Sequence, residues 1–423
     1  MATGRAANPF RGTVPRRRGL TSPPGVRHIS RVRIAHLADP HLGFRQYHRQ
    51  TPSGLNQREA DVANAFRRAV DGVIAARPDA VLVAGDLFHS VRPTNPAILF
   101  AFHQFHRLRE ALPTAPIVLI AGNHDTPRSV ETGSILGLFD SIGVDVVADE
   151  ARRLSYPALG LSVLAVPHNA LVAPERPAME PAGPEPHQVL MLHGEVEGLF
   201  PADRSSVEYG GALVSPEALA RGGWSYVALG HYHVQREVAP KVWYAGSLEY
   251  VSPNPWGELQ EEAKLGLDGK GWLLVDLATG RVQRQPVMPT RRVHDLPVLD
   301  GQGKTAAELD QLIAAAVAAI PGGHRDQVVR QVIRNVPRHI GRELNHTAIR
   351  ALKAEALHYQ LDLRRPETHR EVGVGAPGRR RTLPELVEDY LTRRLLPGDL
   401  DRETFVRRGT ELVQAAEQEW AEG

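Results

Sequence analysis

The 423-residue sequence contains no cysteine, no long apolar run and almost no net charge. Without cysteine there is no disulfide framework, no thiolate zinc site and no cysteine nucleophile, so a metal would need His, carboxylate or amide ligands. A formal net charge of +2 is too small to give the strong positive electrostatic field of a protein that coats nucleic acid, so that class of protein is excluded. The longest apolar candidate, Leu312–Ile320, is far shorter than the roughly 18 residues of a membrane span. The Arg-rich N-terminus also lacks the apolar stretch of a secretory signal, so we expect a cytoplasmic protein without a membrane partner.

The chain is long enough for about two to three domains, at roughly 150 residues each. Residues 1–28 are rich in Arg, Pro and Gly and lack periodicity, which predicts a flexible Arg-rich arm. The patterns then divide the chain into a main domain at 29–289, a smaller α/β domain at 290–370, and a linker with a C-terminal helix pair at 371–423.

Short β-branched apolar runs alternate with helix-like segments in the main domain, which predicts an α/β core. The expected strands are Val32–Ala38, Ala80–Ala84, Ile117–Ala121, Val189–Leu192 and Tyr226–Leu229, and the expected helices include Glu59–Ala76 and Ile98–Ala111. In the smaller domain and beyond, we expect a helix at Thr305–Ile320, strands at Gln327–Asn335 and Leu357–Leu363, a linker at Glu371–Gly378, and helices at Leu383–Leu395 and Arg402–Trp420.

Polar residues able to bind a metal follow each expected strand of the core. In chain order they are Asp39 and His41, then Asp86, then Asn123 and His124, then His193, and finally His231 and His233. Ligand sites in open α/β sheets lie beyond the carboxyl ends of the strands, so these distant residues are expected to converge. The glycines beside them allow sharp turns and a close approach of the backbone.

Two aspartates, an asparagine and several neutral histidines form a mixed ligand set that suits Mn, Fe or Zn rather than a soft metal or calcium. The set is too large for one tetrahedral ion. Two ions about 3.5–4 Å apart would use all of it, and such a pair stabilises both the entering and the leaving oxygen in phosphoryl displacement. The sequence therefore predicts metal-assisted phosphoester hydrolysis.

The same motifs, in this order, resemble the calcineurin-like metallophosphoesterase superfamily. The flanking stretches HLADPHLG (36–43), AGDLFHS (84–90), MLHG (191–194), ALGHYH (228–233) and YAGSLE (244–249) resemble, within it, the double-strand-break repair nucleases that include bacterial SbcD and the meiotic-recombination-eleven nucleases. The resemblance implies a four-layer αββα sandwich with a smaller α/β capping domain and a C-terminal helix pair.

The resemblance also implies a division of the ligands between two divalent ions, with manganese the expected metal. One ion would be held by Asp39, His41, Asp86 and His233, and the other by Asp86, Asn123, His193 and His231. Asp86 would bridge them. His124 would face the scissile phosphate as a catalytic residue, and His89 matches a family histidine associated with the exonucleolytic handling of a DNA end.

We therefore expect a DNA exonuclease that acts on DNA ends as the nuclease subunit of a repair complex with an SbcC-type coiled-coil ATPase. Two alternatives stay open: a metallophosphoesterase for a small phosphodiester or cyclic nucleotide, and a non-catalytic scaffold that binds DNA ends. A homodimer is also left open.

Overall fold

The computed structural model describes Met1 and residues 31–127, 133–199, 212–220, 222–366, 382–394, 396 and 400–422. Beyond Met1, the expected arm at 1–28 lies outside the described residues, as does the expected linker at Glu371–Gly378.

The strands are β1 (Arg33–Leu37), β2 (Ala80–Val83), β3 (Ile117–Ile120), β4 (Asp145–Val147), β5 (Arg152–Tyr156), β6 (Leu161–Val166), β7 (His187–His193), β8 (Glu195–Val196), β9 (Leu213–Val214), β10 (Tyr226–Gly230), β11 (Arg236–Ala239), β12 (Val242–Tyr244), β13 (Gly271–Asp276), β14 (Arg281–Pro286), β15 (Val293–Asp295), β16 (Leu299–Asp300), β17 (Val328–Arg334) and β18 (His358–Leu363). The α-helices are α1 (Gln57–Ala76), α2 (Asn95–Ala111), α3 (His168–Val172), α4 (Pro216–Ala220), α5 (Pro255–Lys264), α6 (Ala306–Ala318), α7 (Arg338–Glu343), α8 (His346–Glu355), α9 (Leu383–Arg393) and α10 (Arg402–Glu422), and short 3₁₀ helices occur at Ile135–Ile142 and Pro157–Leu159.

Two six-stranded sheets form the centre of the molecule. The first has the order β14-β13-β1-β2-β3-β4, and the second has the order β11-β12-β10-β7-β6-β5. The strands expected from the sequence lie side by side: β1, β2 and β3 are parallel neighbours in the first sheet, and β7 and β10 are parallel neighbours in the second. The carboxyl ends of β1, β2 and β3 therefore share one edge, as do those of β7 and β10.

The two sheets pack face to face and each is covered by helices on its outer face. Because successive strand residues point to opposite faces, Ile34 lies between the sheets while Ala35 packs beneath the helical layer. Phe66 of α1 and Phe105 of α2 cover the first sheet, and short helices contribute Leu171 and Leu219 to the cover of the second. This arrangement is the expected four-layer αββα sandwich, and the α/β prediction is confirmed.

A third, smaller sheet contains β17 between β18 on one edge and β15 and β16 on the other. All its strands are parallel. The helix α6 begins at the capping box of Thr305 and Glu308 and packs on this sheet through Leu309 and Ile313. The expected secondary structure of the smaller domain is thus present, while the boundary at 289/290 stays a prediction.

The helices α9 and α10 contact each other near the end of the chain. Both were expected from the sequence, and the residues Pro397 and Gly398 that separate them in the sequence lie outside the described residues. Within the described part of the chain, no helix has both the length and the apolar character needed to cross a bilayer.

Candidate metal centre

The candidate ligands meet where the carboxyl ends of both sheets face each other. Asp39 and His41 follow β1, Asp86 follows β2, and Asn123 follows β3 of the first sheet. From the second sheet, His193 ends β7, and His231 and His233 follow β10. The ligands therefore come from two sheets, and not from the edge of a single open sheet.

Several of these residues have a backbone conformation that non-glycine residues rarely adopt. The φ angle is 52° at Asp39, 47° at His41, 51° at Asp86 and 103° at His231. Such conformations cost of order 1–3 kcal/mol each and persist where the surrounding structure enforces them. Here the loops are joined by hydrogen bonds: the N–H of Asp39 donates to Gly85 O at 3.1 Å, and that of His41 donates to Asp86 O at 2.9 Å. The strained turns point the ligand side chains into one buried volume.

Two glycines keep that volume open. A Cβ added to Gly122 would lie 2.1 Å from Asp86 Oδ1, and one added to Gly230 would lie 1.8 Å from Ala84 O. Neither position can accept a side chain without movement of the backbone beside Asp86. The expectation that glycine allows a close approach at this site agrees with these distances.

The first ligand group consists of Asp39, His41 and His233. One ligand atom from each lies within 4.8 Å of the others, and all three residues are buried. The two Nε2 atoms of His41 and His233 are 3.1 Å apart. Two nitrogens bound at right angles about 2.1 Å from one ion would be separated by about 3 Å, so this spacing fits a shared metal.

The second ligand group consists of Asp86, His193 and His231, again within 4.8 Å and buried. Asn123 adds an oxygen, since its Oδ1 lies 2.9 Å from His193 Nε2 and 3.1 Å from His231 Nδ1. The other ring nitrogen of His193 donates a hydrogen bond to Ala84 O at 2.8 Å. That bond orients the ring so that Nε2 faces the group.

Asp86 lies between the two groups. Its Oδ1 accepts the N–H of His124 at 2.8 Å, while its Oδ2 lies 3.3 Å from His193 Nε2 and 3.6 Å from His41 Nε2. Oδ2 is buried and receives no well-aligned hydrogen bond from the described residues. Burying a carboxylate oxygen without a good hydrogen bond costs free energy. The position of Oδ2 among imidazole nitrogens therefore fits the role of a cation ligand.

The electrostatics of these residues also suit a cation. Burial disfavours a charged His193, but the carboxylates of Asp86 and Asp39 outweigh that effect and raise the pKa of His193 to about 9. Burial favours a neutral Asp86, yet His193 and His41 hold its pKa well below the usual range. The metal-free site thus keeps a proton on His193 at neutral pH, which a bound divalent ion would displace.

His124 and His89 lie at the rim of the site and are partly exposed. The Nδ1–H of His124 donates to His89 O at 2.9 Å, and the two rings stack with centroids 5.1 Å apart. His89 Nδ1 lies 3.2 Å from His41 Nδ1, so His89 contacts a candidate ligand directly. With His41 they form a further group of three with ligand atoms within 4.8 Å of one another.

Two residues with no role assigned from the sequence also shape the site. The carboxylate of Asp125 accepts the N–H groups of Leu87 at 3.0 Å, Phe88 at 2.9 Å and Gly122 at 3.2 Å. It thereby joins the loop of Asp86 to the loop of Asn123. The sequence signal that could have identified Asp125 is its position directly after the candidate residues Asn123 and His124. Buried His168 donates its N–H to Ala121 O at 3.0 Å; nothing in its sequence context indicates this position.

Residues 32–235 match the sequence profile of the family described as calcineurin-like phosphoesterase. The chain is also similar to curated proteins named "DNA double-strand break repair protein Mre11". It is 30% identical over 258 residues to that of Sulfurisphaera tokodaii, a match that covers 59% of this chain and 61% of the relative. It is 28% identical to those of Methanocaldococcus jannaschii, over 58% of this chain and 62% of the relative, and Saccharolobus solfataricus, over 58% and 61%. The chain thus matches only about three fifths of the length of these relatives.

Proposed function

We propose that the chain is a calcineurin-like phosphoesterase, the family whose profile residues 32–235 match, and that it hydrolyses phosphodiester bonds at DNA ends with two divalent metal ions, manganese being the expected metal. The observation that carries the proposal is the position of Asp86, a buried carboxylate between two groups of ligands, each of which draws residues from both sheets. This arrangement supports a two-ion centre because a single bridging carboxylate holds a pair of cations close together.

The proposed first ion is held by Asp39, His41, Asp86 and His233, and the second by Asp86, Asn123, His193 and His231. When bound, the ions would supply positive charge that polarises the phosphate and makes water a nucleophile near neutral pH. The chain's own contribution is a fixed ligand frame, set by the strained turns and the hydrogen bonds among the loops.

We propose that His124 either stabilises the negative charge that develops at the scissile phosphate or donates a proton to the leaving oxygen. Its Nδ1–H donates to His89 O, which fixes the ring, and in our proposal Nε2 is the atom that acts on the phosphate. Its N–H also donates to Asp86 Oδ1, so the ring is placed relative to the proposed bridge. His89 stacks on His124 and is proposed to act in the handling of the DNA end.

DNA is the proposed substrate because relatives with the name of a DNA break repair protein match 58–59% of this chain. Residues 290–370 would then form the capping domain, and the helix pair would dock on a coiled-coil ATPase of the SbcC type. Leu383, Leu386 and Tyr390 of α9 are exposed, as is Leu412 of α10. An exposed apolar stripe of this kind suits a partner helix.

The test compares substrates for the purified chain with manganese. We expect nucleotides to be released from end-labelled linear duplex DNA and none from the matched closed circle, with Asp86→Ala as the control for a contaminating nuclease. Hydrolysis of a cyclic dinucleotide without release from DNA would replace the proposal with a small-substrate phosphodiesterase. DNA binding without hydrolysis of either substrate would replace it with an end-binding scaffold.

A further inference from the structure

We propose that Glu258 and Lys270 form a positioning pair that orients His233 and strengthens the first ligand group. Neither residue touches the reacting phosphate in this proposal. The inference rests on the proposed metal centre and extends it to residues outside the ligand set.

Glu258 lies directly behind the His233 ring. The Nδ1–H of His233 donates to Glu258 Oε1 at 3.4 Å, while Nε2 on the opposite side of the ring lies 3.1 Å from His41 Nε2. Both Glu258 and His233 are buried. A carboxylate in this place selects the tautomer with Nε2 available to a metal and makes that nitrogen more basic.

Lys270 holds Glu258 and the backbone of His233 together. Its Nζ pairs with Glu258 Oε2, pairs with Glu262 Oε1 at 2.9 Å, and donates to His233 O at 2.9 Å. It also lies over the Tyr250 ring, 4.6 Å from the centroid. Glu258 and Lys270 are both buried, so Lys270 supplies the positive charge that a carboxylate in this position needs as a partner.

The segment after β12 packs against the carbonyl oxygen of His233. The N–H of Ser247 donates to His233 O at 3.1 Å, and its hydroxyl, which donates to Glu249 O at 2.8 Å, lies 3.4 Å from the same oxygen of His233. Gly246 has φ 74°, and a Cβ there would lie 3.0 Å from that oxygen. The stretch at 244–249, one of those that resemble the repair nucleases, is therefore packed against the backbone of His233.

The two ligand groups differ in the support of their histidines. His233 is backed by a charged carboxylate, whereas the Nδ1–H of His193 donates to the neutral carbonyl of Ala84. A carboxylate partner raises the basicity of an imidazole more than a carbonyl does. We therefore expect loss of the Glu258 charge to weaken one of the two metal sites selectively.

Glu258→Gln removes this charge and preserves the shape of the side chain. Glu262→Gln is the matched control, because Glu262 also pairs with Lys270, accepts the Tyr250 hydroxyl at 2.6 Å, and lies in the same helix, α5. In each variant one glutamate remains to pair with Lys270, so both are expected to fold. Manganese titration of the full chain, followed by calorimetry and by electron paramagnetic resonance, measures the number of sites and their affinities.

We expect Glu258→Gln to lose about tenfold to 100-fold in affinity at one of two sites, and Glu262→Gln to keep both affinities within about threefold at a similar metal-free melting temperature. The His233 ring nitrogens should show shifted NMR resonances in Glu258→Gln alone. Equal affinity losses in the two variants, or no loss in either while the wild type binds two ions, would overturn the positioning role. A wild type that binds no manganese would overturn the metal centre itself and this inference with it.

Discussion

Gly122 provides a test of how tightly the frame around Asp86 is packed. In Gly122→Ala, the new Cβ would lie 2.1 Å from Asp86 Oδ1, 2.5 Å from its backbone N and 2.7 Å from its Cγ. Ordinary contacts begin at about 3.4 Å, so Asp86 or the Gly122 turn must move by roughly 1 Å. A misplacement of about 1 Å can lower a rate about 100-fold, and here it would affect the ligand shared by both proposed ions.

The assay is manganese stoichiometry together with phosphodiesterase rate, and Gly137→Ala is the control. Gly137 also lacks a positive φ, and a Cβ there meets no atom within 4 Å. We expect Gly122→Ala to bind fewer ions or to bind them more weakly, with a rate reduced by about 100-fold, while Gly137→Ala resembles the wild type. A Gly122→Ala protein with two tightly bound ions and a normal rate would refute the close packing around Asp86.

Three further predictions follow from the charges and contacts of the site. Because the pKa of His193 is raised to about 9, its proton must leave for a metal to bind at pH 7. Manganese affinity should therefore rise about 50-fold from pH 7 to pH 9, and the calorimeter should detect about one released proton at pH 7. Unchanged affinity across this range would contradict the prediction. Because the pKa of His193 is higher in the folded protein than the usual 6.5, its proton stabilises the metal-free fold. This stabilisation is fully present below pH 6.5 and is lost as the pH rises through about 9, so the melting temperature of the metal-free protein should fall over that interval. His124→Ala should keep two bound ions but lose about 100-fold or more in cleavage; loss of metal in this variant would show that its role is structural.

The local pattern of the sequence was sufficient to predict the strands that carry the ligands. The strands β1, β2 and β3 of the first sheet and β7 and β10 of the second are buried on both faces. In the sequence they therefore appear as continuous apolar runs that end at polar residues. The strands β6 and β13 are equally apolar but were not among the expected strands. The edge strands β5 and β14 are half exposed, and their Arg-rich sequences give no such signal.

Pairing between distant strands could not be predicted from local pattern. The strand β13 lies antiparallel beside β1, with Arg33 opposite Asp276, and nothing near either residue specifies that contact. For the same reason the sequence did not indicate that the ligands would come from two sheets. The positive φ angles of Asp39 and Asp86 are equally hidden, because neither residue is a glycine.

The candidate ligands could be predicted from the sequence because each follows an apolar run that predicts a strand. The residues that support those ligands could not be predicted in this way. Glu258 and Lys270 look like surface residues in a charged stretch, and only the fold shows that both are buried behind His233. Buried ion pairs of this kind depend on tertiary packing, which residue type and spacing do not reveal.

The most direct test of the two-ion centre is the anomalous diffraction of crystals grown with manganese. We predict two peaks in each chain, one beside Asp39, His41 and His233 and one beside Asn123, His193 and His231, with Asp86 in contact with both. A single peak, or two peaks of which Asp86 contacts only one, would contradict it.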